Sequence, residues 1–359
     1  MTDSAKFRTL HKGRGAASNP DGRYESLQRE ECDDGWGGLD EELEPLQTVL
    51  GVDTAKRVIT YNDSPDIPFD RSINPYRGCE HGCVYCFARP THGYLGLSAG
   101  QDFESRLFYK PDAPERLKEE LAHPKYACQP VALGINTDGW QPVERKLELT
   151  RRLLAILASF RHPVSIVTKS ALIERDLDLL TDLARDDLVH VFVSITTLDR
   201  DLARRMEPRA AQPERRLATI EALAKAGVPV GVMVAPIVPV MTDPELESIL
   251  KRAHEAGASE AGYVMLRLPH EVKDLFREWL AAHEPLKAEH VMNRVRELRG
   301  GKDYEAAFGD RMRGSGKYAD FIRDRFRLAY KRLGFGGMAP MRADLFTAPK
   351  PERGQLALF

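Results

Sequence analysis

Cysteine is scarce in this chain: five thiols in 359 residues, at Cys32, Cys79, Cys83, Cys86 and Cys128. An odd, clustered set argues against a disulfide framework and for a reducing compartment in which thiols act as ligands. Long apolar runs are missing as well. No stretch approaches the roughly 20 apolar residues that cross a bilayer, and the opening MTDSAKFRTL lacks the apolar segment of a secretory signal. The expectation is a cytoplasmic protein with no membrane partner. Neither sign of charge is in excess: 52 Lys and Arg against 54 Asp and Glu leave −2, which by itself predicts no partner. What is present is 42% apolar residues at a mean hydropathy of −0.40. That suffices for the core of one large α/β domain with extensions, or of two smaller domains.

Residues 1–60 read as a poorly ordered leader. HKGRGAASNPDGRYE has few apolar anchors, and residues 25–46 set nine acidic side chains against one arginine. Cys32 lies in that acidic field, which disfavours its thiolate. From 61 to 270 short β-branched runs alternate with amphipathic stretches. The strands are expected at VALGIN (131–136), VSIVT (164–168), VHVFVSI (189–195), VPVGVMV (228–234) and GYVMLR (262–267), with SINPYRG as a first strand. Helical segments lie between them, and Gly227 and Gly257 stand where C-cap glycines belong. Strands separated by single helices imply a parallel sheet. Six such units are too few for a closed eight-fold barrel, so the expected fold is α/β, a partial (β/α)6 TIM-like barrel. A helical extension follows at 271–335, and a flexible tail at 336–359.

The chemistry concentrates in GCEHGCVYC (78–86), where Cys79, Cys83 and Cys86 have the spacing C-x3-C-x2-C. Two readings compete. A zinc site would need a fourth ligand such as His81 or His92. A [4Fe–4S] cluster held by three thiolates would keep one iron free for a small molecule. The loop follows the first strand, and parallel sheets place their sites beyond the carboxyl ends of strands. Polar residues gather at the other strand ends: Asn136, Thr137 and Asp138; Thr168, Lys169 and Ser170; Ser194 and Thr196; Glu207 and Arg209; and Arg267.

The CxxxCxxC spacing, with Tyr85 just before the last cysteine, resembles the radical S-adenosylmethionine superfamily. NPYRGCEHGCVYCFAR, NTDGWQPVE, VTKS and the EPR segment resemble its spore photoproduct lyase-like branch, over roughly residues 65–270. The resemblance implies a 4Fe–4S cluster on Cys79, Cys83 and Cys86, and a 5′-deoxyadenosyl radical made from S-adenosyl-L-methionine. It implies an electron donor such as flavodoxin or ferredoxin. By the same resemblance Lys169 contacts the cofactor carboxylate, Ser194 its ribose, and Asn136, Thr137 and Asp138 the sulfonium side. Tyr85 and the backbone after Cys83 lie beside the adenine. The lyase uses a cysteine as hydrogen donor, but the only available thiol, Cys128, precedes the second strand. Its eight residues to Asn136 span about 25 Å of extended chain, which makes Cys128 structural and leaves as donor a tyrosine such as Tyr94, or the substrate returning the hydrogen itself.

Two features point toward DNA. Residues 293–332 carry 12 Lys and Arg against 6 Asp and Glu, with DFIRDRFRLAYKRLGF as a basic helix interleaved with aromatics. The alternative for that helix is a barrel-closing amphipathic element with arginines in solvent. QLALF, with Gln355, Leu356, Leu358 and Phe359, resembles the peptide by which bacterial replication and repair proteins bind the sliding clamp; the alternative is docking on its own barrel. The function expected is a lyase-like radical enzyme acting on damaged or modified DNA. The alternatives are a radical enzyme acting on a small metabolite, RNA or protein, and a non-catalytic metal-binding protein tethered to a partner.

Overall fold

The computed structural model describes residues 13–24 and 46–348. Its ten strands are β1 Val49–Val52, β2 Ile59–Tyr61, β3 Arg71–Ile73, β4 Tyr76–Arg77, β5 Arg106–Tyr109, β6 Val131–Leu133, β7 Val164–Thr168, β8 Val189–Ser194, β9 Val230–Ile237 and β10 Glu260–Met265. Seven form one sheet in the order β10-β9-β8-β7-β6-β3-β2. Its six strands from β3 to β10 run parallel, and β2 caps the edge antiparallel to β3. The six β/α units expected from the sequence are therefore present as a partial barrel.

Alternation sets the core. In β7 Val164, Ile166 and Thr168 are buried, and in β8 Val189, Val191 and Val193 are. β8 presses against the helices Leu177–Ala184 and Pro213–Lys225. Some boundaries differ from the periodicity for local reasons. β6 stops at Leu133 because Gly134 takes φ +81°. The helical stretch over 143–160 breaks at Glu148, φ +49°. There the Glu144 carboxylate accepts the N–H groups of Thr150 and Arg151 at 3.0 and 3.2 Å and so starts the second helix. Gly227 and Gly257, at φ +77° and +105°, end their helices as expected.

A second, three-stranded sheet, β1-β5-β4, is too short to show a period in sequence. Its strand β4 runs directly into the cysteine loop. The expected leader departs from its composition in two places. Residues 46–60 supply β1 and β2, and Gly15 and Ala16 are buried against Glu104. The acidic stretch 25–45, with Cys32, lies outside the described residues.

After β10 come the helices Val272–His283, Ala288–Leu298, Asp310–Arg313 and Gly316–Leu333. The last is the closing element of the two readings offered for it. Ala319, Ile322 and Ala329 face inward and Arg325 binds Glu247, while Arg323 and Arg327 stay in solvent beside Asp320 and Asp324. Part of the expected flexible tail is strapped across the amino ends of the strands. Arg342 N–H donates to Asp187 O and Thr347 N–H to Phe160 O, both at 3.0 Å, and Phe346 packs among Tyr126, Phe160 and His162. QLALF lies outside the described residues. Among the described residues no helix is long and apolar enough to cross a membrane.

Candidate functional site

The cysteine loop is a chain of tight turns. Cys79 N–H donates to Phe103 O at 2.9 Å, Cys86 N–H to Cys83 O at 3.1 Å, and Val84 N–H to Met206 O at 3.1 Å. Gly82 sits at φ +68°, and a Cβ there would meet Glu104 Oε2 at 2.8 Å, so glycine is required on both counts. Burial pushes all three thiols up, Cys83 to about 12. Backbone N–H groups of His81 and Asp138 act on the Cys79 sulfur, and those of Ala88 and Arg89 on Cys86. N–H groups directed at thiolates are what an iron–sulfur cluster needs to hold its charge in a dry site.

Beneath the loop lies an ionic footing that the sequence reading missed. Arg89, fully buried, donates through Nε to Cys83 O at 2.9 Å and through Nη1 to Gly100 O at 2.8 Å, and its Nη2 meets Glu104. Glu104 also accepts the N–H groups of Gly15 and Ala16, each at 2.8 Å. Arg14 reaches Glu104 O at 2.6 Å and Leu46 O.

Above the loop, Tyr85 donates its hydroxyl to Glu207, as does Thr196 at 2.7 Å. Arg216, 2% exposed, closes the set: Nη2 pairs with Glu207 and Nη1 donates to Ser194 O at 3.0 Å. Burial alone would raise the Glu207 carboxyl; the charges of Arg216 and Lys169, with the hydrogen bonds, overcome it and hold the group at about 2. The Lys169 ammonium stands 5.9 Å over the Tyr85 ring and forms no ion pair among the described residues. Glu207 and Arg216 were legible only as polar residues of a loop and a helix; nothing in their spacing foretells the pairing.

Asp138 is a brace. Its carboxylate accepts Thr168 Oγ1 at 2.8 Å, Trp140 N–H at 2.9 Å and Lys169 N–H at 2.7 Å. Thr137 Oγ1 donates to Tyr76 O at 3.1 Å. The Asn136 backbone N–H donates to Asn74 Oδ1 at 2.9 Å, and the residue is exposed. Of the two histidines offered as zinc ligands, His81 faces Asp138 at 3.4 Å and His92 bonds Arg106 O at 2.9 Å. Tyr94 lies at the surface, 69% exposed and stacked on Tyr24 at 5.4 Å. Cys128 sits by Arg71 at the amino end of β6, where Arg71 bonds Ala127 O, on the side away from the cysteine loop.

The donor set fits a cluster. Three cysteines on one loop, with backbone N–H groups directed at the sulfurs of Cys79 and Cys86, supply the thiolates and hydrogen bonds a cluster uses. A mononuclear zinc site draws its ligands to one centre about 2.3 Å from each sulfur, whereas a [4Fe–4S] cluster seats each thiolate on its own iron.

The comparisons with known proteins agree. The model of the radical SAM superfamily matches residues 73–253, and the chain belongs to that superfamily. It is therefore a radical SAM enzyme, whose cofactors are a 4Fe–4S cluster and S-adenosylmethionine. An uncharacterised protein of Mycobacterium tuberculosis is 38% identical over 234 residues, 65% of this chain and 68% of that one. An uncharacterised protein of Acidianus two-tailed virus is 29% identical over 204 residues, 54% of this chain and 66% of that one. Among solved structures, spore photoproduct lyase complexed with dinucleoside spore photoproduct superposes with a TM-score of 0.57 at 16% identity, over 79% of each chain. A variant of that lyase with bound S-adenosylmethionine and the same dinucleoside gives 0.58 at 16%, again over 79% of each. At that identity the likeness establishes the fold.

Proposed function

We propose that the enzyme abstracts hydrogen from damaged or modified DNA in a photoproduct-lyase-like reaction. The observation that carries this reading is the fold shared with spore photoproduct lyase over 79% of each chain, in a structure that holds a dinucleoside photoproduct. When bound, cluster and cofactor supply hydrogen-atom abstraction driven by one-electron cleavage of a sulfonium. The residues of the chain hold and orient. Cys79, Cys83 and Cys86 carry the cluster on the Arg89–Glu104 footing. Lys169, which forms no ion pair among the described residues, binds the cofactor carboxylate, and Ser194, whose backbone Arg216 fixes, faces the ribose. Asp138 keeps the loop of Asn136 and Thr137 against β7, so that Asn136 meets the sulfonium side. Tyr85, locked by Glu207, presents a fixed ring beside the adenine.

Flavodoxin or ferredoxin is the proposed electron donor. The sliding clamp is the proposed partner of Gln355, Leu356, Leu358 and Phe359; pulldown with the clamp should be lost on deleting residues 355–359.

The central test is anaerobic reconstitution, iron counting and assay of 5′-deoxyadenosine after dithionite reduction, with ultraviolet-damaged duplex, undamaged duplex and RNA compared. Iron loading with turnover raised only by damaged DNA supports the proposal. Turnover indifferent to damage moves the substrate to another class, and stoichiometric zinc without iron removes the enzyme reading altogether.

A further inference from the structure

Past β10 the chain leaves through Leu266–Leu268 and meets the segment that follows the helix Ala288–Leu298. Two arginines converge there, and among the described residues neither is joined to a carboxylate by an ion pair. Arg299 is 2% exposed; Nη1 donates to Asp310 O at 2.7 Å and Nη2 to Leu266 O at 2.8 Å, while Nε is buried with no partner. Both acceptors are neutral carbonyls. The Nε of Arg267 is also buried without a partner, and its Nη1 has only the sulfur of Met312 at 3.2 Å, a weak acceptor. Among the described residues neither arginine pairs with a carboxylate. Asp66, the acid that feels Arg267, is already engaged by Gly309 N–H at 2.7 Å and by Arg311.

Such an arrangement is unfavourable on its own, because a guanidinium withdrawn from water needs an opposite charge. Burial first, and the charge of Arg267 second, pull Arg299 down to about 10, and the charges of Tyr304, Asp310 and Glu305 offset this only in part. The position of the pair says what it faces. The Arg267 guanidinium lies 5.2 Å from the ring centre of Phe87, the residue next to Cys86, and Phe87 is 40% exposed. A fixed guanidinium fork suits a phosphoester, and a partly open aromatic face suits a base.

We propose that Arg267, backed by Arg299, forms an anion subsite that grips a phosphoester of the substrate and sets the adjoining group against Phe87. The subsite stands on its own geometry; only the identification of its anion as a nucleic-acid phosphodiester rests on the proposed function. The fork gives direction as well as charge, since Leu266 O and Asp310 O hold Arg299 fixed behind it.

The test uses the full-length holoprotein with S-adenosylmethionine bound. Inorganic pyrophosphate should raise the Tm of the wild type and leave Arg267→Met unmoved, while Arg323→Ala, on the outer helix, keeps the shift. Arg267→Lys retains charge without the fork and should keep part of it, which separates loss of the site from loss of the fold. Equal shifts in wild type and Arg267→Met overturn the proposal. The second probe is a thymidine dinucleotide joined either by a phosphodiester or by an uncharged methylphosphonate. The wild type should favour the charged form about tenfold, the scale of one hydrogen bond to a charged group, and Arg267→Met should lose that preference. If pyrophosphate binds through Arg267 but both dinucleotides bind alike, the subsite holds and the nucleic-acid reading falls. If Arg267→Met weakens S-adenosylmethionine instead and leaves the pyrophosphate shift intact, the arginine serves the cofactor and the proposal fails.

Discussion

Arg89 and Glu104 form an ion pair in which neither side chain reaches solvent, directly beneath the loop that carries the three cluster cysteines. Removing one member strands the other charge, which costs about 3–5 kcal/mol in buried pairs. Glu104→Gln should therefore lower the urea midpoint sharply and reduce iron per chain on reconstitution. Arg89→Met with Glu104→Leu should cost less than the sum of the singles. Additive losses would show that the two residues act separately.

Gly15 provides a steric test of the same footing. A Cβ at Gly15 would stand 1.8 Å from Gly82 O, a backbone atom that cannot swing aside. Gly15→Val must displace either the 13–24 segment or the cysteine loop, with an overpacking cost of roughly 1–3 kcal/mol. The expected result is reduced cluster loading with an unchanged far-ultraviolet circular dichroism spectrum. Full loading in the variant would show that residues 13–24 are not needed by the loop.

Residues 13–24 also show where sequence reading stops. The cysteine spacing, the six β-branched runs and the capping glycines carry strong local signals, and the barrel with its cysteine loop follows from them. GRGAAS carries no period and no large apolar residue, so its burial comes from partners distant in sequence: Glu104 accepts its N–H groups and Ala16 packs with Ala99 and Leu275. Arg216 reads as one more polar residue on an amphipathic helix until Glu207 is found opposite it. The strap at 339–347, APMRADLFT, shows no period; it is held by Leu345 and Phe346 packed on the core and by the N–H groups of Arg342 and Thr347. Lys169 is legible in the short VTKS motif; that it forms no ion pair among the described residues is a property of the fold alone.

That lack makes Lys169 informative. Lys169 forms no ion pair among the described residues but its charge helps hold the buried Glu207 ionised, so Lys169→Met should lower Tm modestly, and the Kd for the cofactor is read on folded protein at a temperature below that shift. Its removal from a bound carboxylate should cost about 1.5–3 kcal/mol, which is roughly a 10- to 100-fold rise in Kd for S-adenosylmethionine by equilibrium dialysis. A Kd within twofold of wild type would free the cofactor carboxylate from this residue.

His162 yields a pH prediction away from the site. Pro163 O at 2.9 Å can only accept, so Nδ1 carries the proton and Nε2 accepts from the Tyr126 hydroxyl at 2.6 Å. Burial drives the imidazole down to about 4, so the native state stays neutral where the unfolded chain, near the usual 6.5, takes up a proton. The unfolded state then binds more protons between those values, and stability present above pH 6.5 is lost as pH falls through the window to about 4. The fall of about 2.5 pH units at 1.36 kcal/mol each amounts to roughly 3 kcal/mol. His162→Gln cannot titrate, so its stability should decline less over that range, and the gap to wild type should narrow as pH drops. Denaturant midpoints at pH 7, 6, 5 and 4.5 measure it, and a constant gap across the series would mean that His162 titrates alike in both states.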